Sequence, residues 1–219
     1  MNQILYTVNH SENILVKRKN RLFTFILYFS LAMFFSSLAY FCMYLYDVKK
    51  QEKLASELLN SFNIDSLYSS DKNYTAVKLN ASTEAKVIGI IKIDKIGIEY
   101  PILSETTNEA LKIAPCKFFG PDANKVGNLC IAGHNFDDAR FFSKLNLLKN
   151  NDIINIYAPV NVCVSYKIYD MYEIEKTDMS CTSQNTNGKK EITLITCNNS
   201  NKKRFIVKAR EIQQKKNYD

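Results

Sequence analysis

The hydrophobic pattern divides the chain sharply. From Leu22 to Tyr46 it reads LFTFILYFSLAMFFSSLAYFCMYLY, a run without a charged residue. At a helical rise of about 1.5 Å per residue this run covers about 37 Å, enough to cross a hydrocarbon layer of about 30 Å with some tilt. Its Ser and Thr hydroxyls can bond back to the helix backbone, so they do not bar it from lipid. Charges at both ends argue against a buried core helix. The length of the run, with no small-x-small site after it, argues against a cleaved signal peptide. Ala39, Tyr40 and Phe41 before Cys42 are the wrong size for a lipid-modified cysteine. The pattern predicts an uncleaved transmembrane helix over 22–46. Lys17, Arg18, Lys19 and Arg21 outweigh Lys49, Lys50 and Lys53, which Asp47 and Glu52 dilute. The positive-inside rule therefore predicts residues 1–21 in the cytoplasm and everything after the anchor outside.

Residues 47–85 are polar and short of strand signals, and read as an extracytoplasmic stalk or linker. Within them Leu54, Leu58 and Leu59 form a weak helical stripe. From residue 86 onward short β-rich runs succeed one another: VIGIIKI (87–93), IEYPIL (98–103), NLCIAGH (128–134), DIINIYA (152–158), VCVSYKIYDMYEI (162–174), EITLITC (191–197) and RFIVKAREI (204–212). Turn-forming residues separate them. Two short helices are predicted between them, TNEALKIA (107–114) and RFFSKLNLLK (140–149). So many short strands in a domain of 86–219 predict a mainly β fold, a small closed barrel or sandwich with peripheral helices. The helices do not alternate with the strands, which argues against a doubly wound sheet.

Composition removes several functions. Six Gly yield no phosphate-binding loop, and two His with six scattered Cys form no zinc-like cluster, so no metal and no cofactor is expected. Asp122, Asp137 and Glu175 are isolated acids rather than a calcium site. The formal charge of +7 suits anionic surroundings, but the basic residues are dispersed and the domain lies outside, which excludes nucleic acid as a partner.

His10 precedes the anchor, so His134 is the single imidazole of the outer domain. It follows an apolar strand and opens a polar loop, Asn135 to Asp138. Cys197 closes EITLITC in the same way, before Asn198, Asn199, Ser200 and Asn201. A thiol at a strand end can be exposed enough to react, whereas Cys130 and Cys163, inside apolar runs, read as core. Cys116 and Cys181 fall in predicted loops. If 198–203 is a hairpin loop, Arg204 opens the next strand opposite Cys197. Arg210 shares that parity but lies about 20 Å further along, at about 3.3 Å per residue. Thiol, imidazole and guanidinium together fit acyl transfer. The thiolate attacks a carbonyl, His134 gives a proton to the leaving amine, and Arg204 stabilises the tetrahedral charge. Water as acceptor would make a cysteine peptidase or amidase of the same triad. A non-catalytic anchored binding domain would instead bury Cys197.

These residues resemble a known family. T-L-I-T-C at Thr193 to Cys197 with the following Arg204 resembles the signature of sortases, the membrane-anchored cysteine transpeptidases of Gram-positive bacteria. GNLCIAGHNFDDARFFSKL (127–145) resembles the sortase histidine strand with a helix after it, and VIGIIKIDKIGIEYPIL (87–103) the opening hairpin. The resemblance covers about residues 86–212 in order. It implies a closed eight-stranded sortase barrel, with Cys197 as nucleophile, His134 as general acid/base and Arg204 as oxyanion or substrate-positioning group. Thr196 is implied as a further oxyanion contact. The implied partners are secreted proteins with a C-terminal sorting signal of the LPxTG type, and an amine acceptor from a cell-wall precursor or a pilin. No Asp-Pro-aromatic lid precedes the barrel, and the loop before EITLITC is short for the class B insertion, which resembles a class D-like or divergent member.

Overall fold

The computed structural model describes residues 2–68, 76–78, 84–159, 162–198 and 202–212. Most of the expected linker after residue 68, the tip of the hairpin loop at 199–201 and the polar C-terminal stretch from 213 lie outside them. Helix α1 (Asn2–Tyr68) contains the uncharged run. Along that run the large apolar side chains, from Leu22 to Tyr46, are exposed. The chain divides into two compact units, residues 1–50 and 51–219.

In the second unit, β1 (Ala76–Lys78), β2 (Glu84–Ile93), β3 (Ile98–Leu103), β4 (Cys116–Phe119), β5 (Gly127–Ala132), β6 (Ile153–Ala158), β7 (Val162–Glu175), β8 (Lys190–Cys197) and β9 (Lys203–Glu211) form one sheet. Its order is β1-β2-β3-β4-β5-β8-β9-β7-β6, and a second pairing of β2 with β6 closes β2 through β9 into an eight-stranded barrel. The closing seam demands a small residue. A Cβ on Gly89 would lie 2.7 Å from the Tyr157 carbonyl oxygen, closer than any side chain tolerates. β1 is an extra edge on β2.

β-Branched residues set the alternation that fills the barrel. Ile91, Ile93, Ile102, Leu129, Ile131, Ile154, Ile156, Ile192, Leu194 and Val207 meet in one buried cluster. Strand β8 is buried on both faces, because Thr193 and Ile195 point the other way, toward Cys130, Cys181 and Ile206. A third cluster covers the outside of β2 and β3. There Ala55 and Leu58 of α1 pack with Val87, Ile90 and Leu103 and with Ala110 and Ile113 of helix α2 (Asn108–Ile113). The weak stripe at Leu54, Leu58 and Leu59 is therefore the inner face of the part of α1 beyond residue 50, which belongs to the barrel unit. Thr107 caps α2 by accepting from the Ala110 amide at 3.1 Å.

Two local expectations are corrected. Residues 140–149 form turns and a single 3-10 turn at Leu145–Leu147 rather than a helix. Ala139 and Phe141 adopt positive φ (68° and 51°), which interrupts a right-handed helix at its start. Cys163 is exposed, not core, because β7 lies on the barrel surface there. Conversely Cys116 is a buried strand residue, and Cys181 is buried although it lies in a loop.

That loop, between β7 and β8, is held down by Asn128. The fully buried Asn128 amide donates to the carbonyls of Cys181 (3.0 Å) and Ser183 (3.1 Å), while its Oδ1 accepts from Thr193 Oγ1 (2.7 Å). Gln184 completes the clasp by bonding the Asn128 backbone on both sides, N–H to Oε1 and Nε2 to carbonyl. Removing the side chain would leave the buried Cys181 carbonyl and Thr193 hydroxyl with only their 3.4 Å contact to each other and free the Ser183 carbonyl from the loop's clasp, which costs more than an ordinary hydrogen bond. Asn128→Ala is expected to destabilise the chain by about 2–3 kcal/mol, with proteolytic nicking appearing between 176 and 189. Thermal unfolding and limited proteolysis in detergent measure both, and an unchanged melting temperature would contradict the role.

Candidate active site

β8 carries the thiol. It runs parallel to β5, from Gly127↔Lys190 to Ala132↔Ile195, and antiparallel to β9, where Cys197 and Arg204 are direct partners. The alternation that sends Ile192, Leu194 and Thr196 inward sends Cys197 outward at the strand's last position, where it is partly exposed. Asn198 closes the hairpin. Its backbone N–H donates to the Lys203 carbonyl at 3.0 Å, and its Oδ1 accepts from the amides of Lys202 and Lys203 at 3.2 Å. This tight closure is why Arg204 follows Cys197 by seven positions and faces it. Arg210 is engaged elsewhere, with Nε and Nη2 each 2.8 Å from the buried Glu191 carboxylate.

His134 lies two residues beyond β5, and β8 holds it from both sides. The Gly133 N–H donates to the Ile195 carbonyl (3.0 Å), the Gly133 carbonyl accepts from Thr196 Oγ1 (2.7 Å), and Asn135 Nδ2 donates to the Cys197 carbonyl (3.0 Å). The Thr196 hydroxyl thus donates to Gly133 and ties the residue before His134 to β8. Gly133 has no substitute in this packing, since a Cβ would sit 2.6 Å from the Phe142 ring. The imidazole leans on Phe136 with ring centroids 4.8 Å apart.

His134, Cys197 and Arg204 line one cleft of about 260 Å³, walled by Leu111, Phe118, Ala132 and Ile195. The thiol also borders a second, polar cavity of about 400 Å³, where Asn135, Ser143, Asn146, Glu173 and Asn198 meet it. The Arg204 guanidinium lies over Phe118, 5.8 Å from the ring centre, and Nη1 donates to Met179 Sδ at 3.5 Å. It therefore bridges the cleft floor and the loop that Asn128 holds. Burial lowers the His134 pKa below its ordinary value, and the positive charges of Arg140 and Lys112 lower it further. The ring is accordingly mostly neutral at pH 7 and able to accept a proton.

The other thiols of the barrel are unsuited to attack or lie away from this cleft. Burial pushes Cys116 and Cys130 up to about 12 and raises Cys181 as well. Cys163 is exposed on β7, across from Tyr157. Of the acids, Asp122 pairs with Lys117 at 2.7 Å and Glu175 with Lys203 at 3.4 Å.

Sequence reasoning selected the three cleft residues but missed those that hold them. Asn128 gave no signal, being a polar residue at the edge of an apolar strand. Arg140 was assigned to a helix. Its only sequence cue is an arginine set among Phe136, Phe141 and Phe142.

The chain is similar to known proteins in sequence and in fold. The family model described as "Sortase domain" matches residues 91–212. Sortase A of Staphylococcus aureus (strain NCTC 8325 / PS 47) is 28% identical over 171 residues, covering 77% of this chain and 82% of that protein. Sortase A of Bacillus anthracis is 33% identical over 132 residues, covering 58% of this chain and 61% of that protein. Among solved structures, a Clostridium perfringens Sortase D5 transpeptidase superposes with a TM-score of 0.61 at 24% identity, over 74% of this chain and all of that one. With a closed eight-stranded barrel, a cysteine and an arginine paired across its last hairpin and a family model matched over most of that barrel, the chain belongs to the sortase family.

Proposed function

We propose that this chain is a transpeptidase that cleaves a sorting motif of the LPxTG type through a thioester on Cys197 and passes the acyl group to an amine, fixing secreted proteins to the cell wall. The reading rests on one observation above the others: a partly exposed thiol, the outer domain's single imidazole and a guanidinium line the same cleft. Its apolar walls fit the leucine and proline of such a motif.

The chemistry follows from the order of groups. His134 takes the thiol proton as sulfur bonds to the carbonyl carbon at the motif threonine. The carbonyl oxygen becomes an anion, and the Arg204 guanidinium, which cannot deprotonate, stabilises it. The imidazolium returns its proton to the departing amine nitrogen, the C–N bond breaks and the thioester remains. An incoming amine then attacks the thioester, His134 takes a proton from it, the C–S bond breaks, and the imidazolium returns that proton to the departing sulfur. Residues 22–46 serve as the anchor, with residues 1–21 in the cytoplasm and the barrel outside, next to the wall that would supply the acceptor.

Four outcomes test this reading in the full chain in detergent micelles, with quenched peptides bearing LPxTG-like motifs and product masses read with and without added amine. Wild type is expected to cleave between Thr and Gly and to ligate the amine, and release of only the free acid at saturating amine would favour the peptidase reading. Cys197→Ala is expected to abolish turnover, His134→Ala to lower kcat by about 10²–10⁴ and Arg204→Ala by about 10²–10³; full activity in any of them would remove that residue from the mechanism.

The acid limb of kcat/KM is also informative. Because the folded pKa of His134 is lowered, its neutral form persists further into acid, so activity should fall only below the ordinary histidine value of about 6.5. An acid limb above that value would contradict the assignment. Finally, iodoacetamide at pH 7 mapped by peptide mass is expected to modify Cys197 and the exposed Cys163 but to spare Cys116, Cys130 and Cys181 in the folded chain.

A further inference from the structure

Among the described residues Arg140 is the most deeply buried cation of the barrel unit, with its side chain 6% exposed. Burying a guanidinium is unfavourable unless its donors are occupied and its charge is balanced. Here Nε donates to Asp138 Oδ2 at 2.8 Å, and Nη1 donates to Gln51 Oε1 of α1 at 3.2 Å. Its planar head lies 4.5 Å from the centre of the Phe136 ring and 5.5 Å from that of Phe141. Phe136 in turn rests against His134 at 4.8 Å. The same loop is wound tightly. Asn135 and Phe141 form an isolated bridge, Phe142 N–H donates to the His134 carbonyl at 3.1 Å, and Ala139 and Phe141 hold positive φ. Positive φ at non-glycine residues is unfavourable and persists only where surrounding contacts enforce it. Arg140 lies between those two residues and supplies such contacts.

We propose that Arg140 is a positioning residue for His134, and that Gln51, just beyond the uncharged run of α1, is the fixed point from which it acts. The pin runs from the helix amide through the guanidinium to the Phe136 face and so to the imidazole. It orients the ring toward the cleft and keeps a positive charge beside it. The proposal rests on His134 being the acid/base of the reaction. The charged and titratable groups around the imidazole are Arg140 on its own loop, Lys112 on α2, Cys197 on β8 and Arg204 on β9, with Asp138 partly balancing Arg140. The two neighbours that depress the imidazole are Arg140 and Lys112, so losing Arg140 should let it titrate at higher pH.

The test uses the full chain in detergent with the motif peptide and amine, alongside His134→Ala. Arg140→Met keeps the apolar stem and removes both the charge and the hydrogen bonds. It is expected to lower kcat at least tenfold with KM within about twofold, and to move the acid limb up toward about 6.5. Gln51→Ala, on the helix surface, is expected to lower kcat severalfold at unchanged KM. Gln51→Glu, which has the same length and still accepts the bond, is expected to retain kcat. If Arg140→Met does not fold, as judged by circular dichroism, the two Gln51 variants decide. Wild-type kcat and acid limb in folded Arg140→Met, or wild-type kcat in Gln51→Ala, would overturn the proposal while His134→Ala stays inactive. Full activity in His134→Ala would instead overturn the underlying assignment of the acid/base.

Discussion

Everything at the cleft depends on the register of one strand. β8 is hydrogen-bonded to β5 on one side and to β9 on the other, and its side chains alternate strictly between barrel interior and outer face. A slip of one residue would turn Cys197 inward, bring Thr196 out and separate the thiol from Arg204. The forces that forbid the slip act well away from the thiol. Ile192 and Leu194 fill the barrel, Ile195 packs against Ile206 and Ile174 outside, and Thr193 is bonded to the buried Asn128. Reversing that pattern would take Ile192 and Leu194 out of the barrel interior and put Glu191 and Thr193 into it, breaking the packing on both faces of a strand that is buried on each. The thiol is placed by packing, not by contacts of its own.

The same strand organises the second reactive group. Three hydrogen bonds from β8 bracket His134, at Gly133 and Asn135, so thiol and imidazole move together if they move at all. Around the imidazole, Arg204, Arg140 and Lys112 are positive, the cleft walls are apolar, and Asp138 of the His134 loop is tied to Arg140, while Glu173 lies in the neighbouring polar cavity. Such surroundings disfavour an imidazolium in the resting state and favour a negative charge developing on a bound carbonyl. In the proposed reaction the first effect keeps a neutral imidazole available to take the thiol proton, and the second favours the charge that then forms on the carbonyl oxygen.

Seven of the nine described strands were legible because β-branched residues recur along them, and the thiol, imidazole and arginine because each ends or begins such a run, whereas the short β1 and β4 were read as linker and loop. Helix α2 was legible as the run TNEALKIA (107–114). The failures have a common physical origin. The run from Arg140 to Lys149 has helical apolar spacing, but aromatic packing on a buried arginine imposes positive φ at Ala139 and Phe141, and local pattern carries no trace of that tertiary demand. Cys163 sits in an apolar run, yet β7 extends along the outside of the barrel, where nothing covers that position among the described residues. Leu54, Leu58 and Leu59 gave too weak a stripe to show that α1 closes one side of the barrel unit. Asn128 was invisible because its partners lie more than fifty residues away, in the loop before β8.

The central claim is that Cys197 carries the acyl group. The most direct measurement is the intact mass of the full chain in detergent after incubation with a motif peptide in the absence of amine, followed by peptide mapping. The account predicts a mass increase equal to the acyl fragment, located on Cys197 and discharged when an amine is added. Motif cleavage with no adduct at Cys197, or an adduct on Cys163 or another residue in its place, would contradict it.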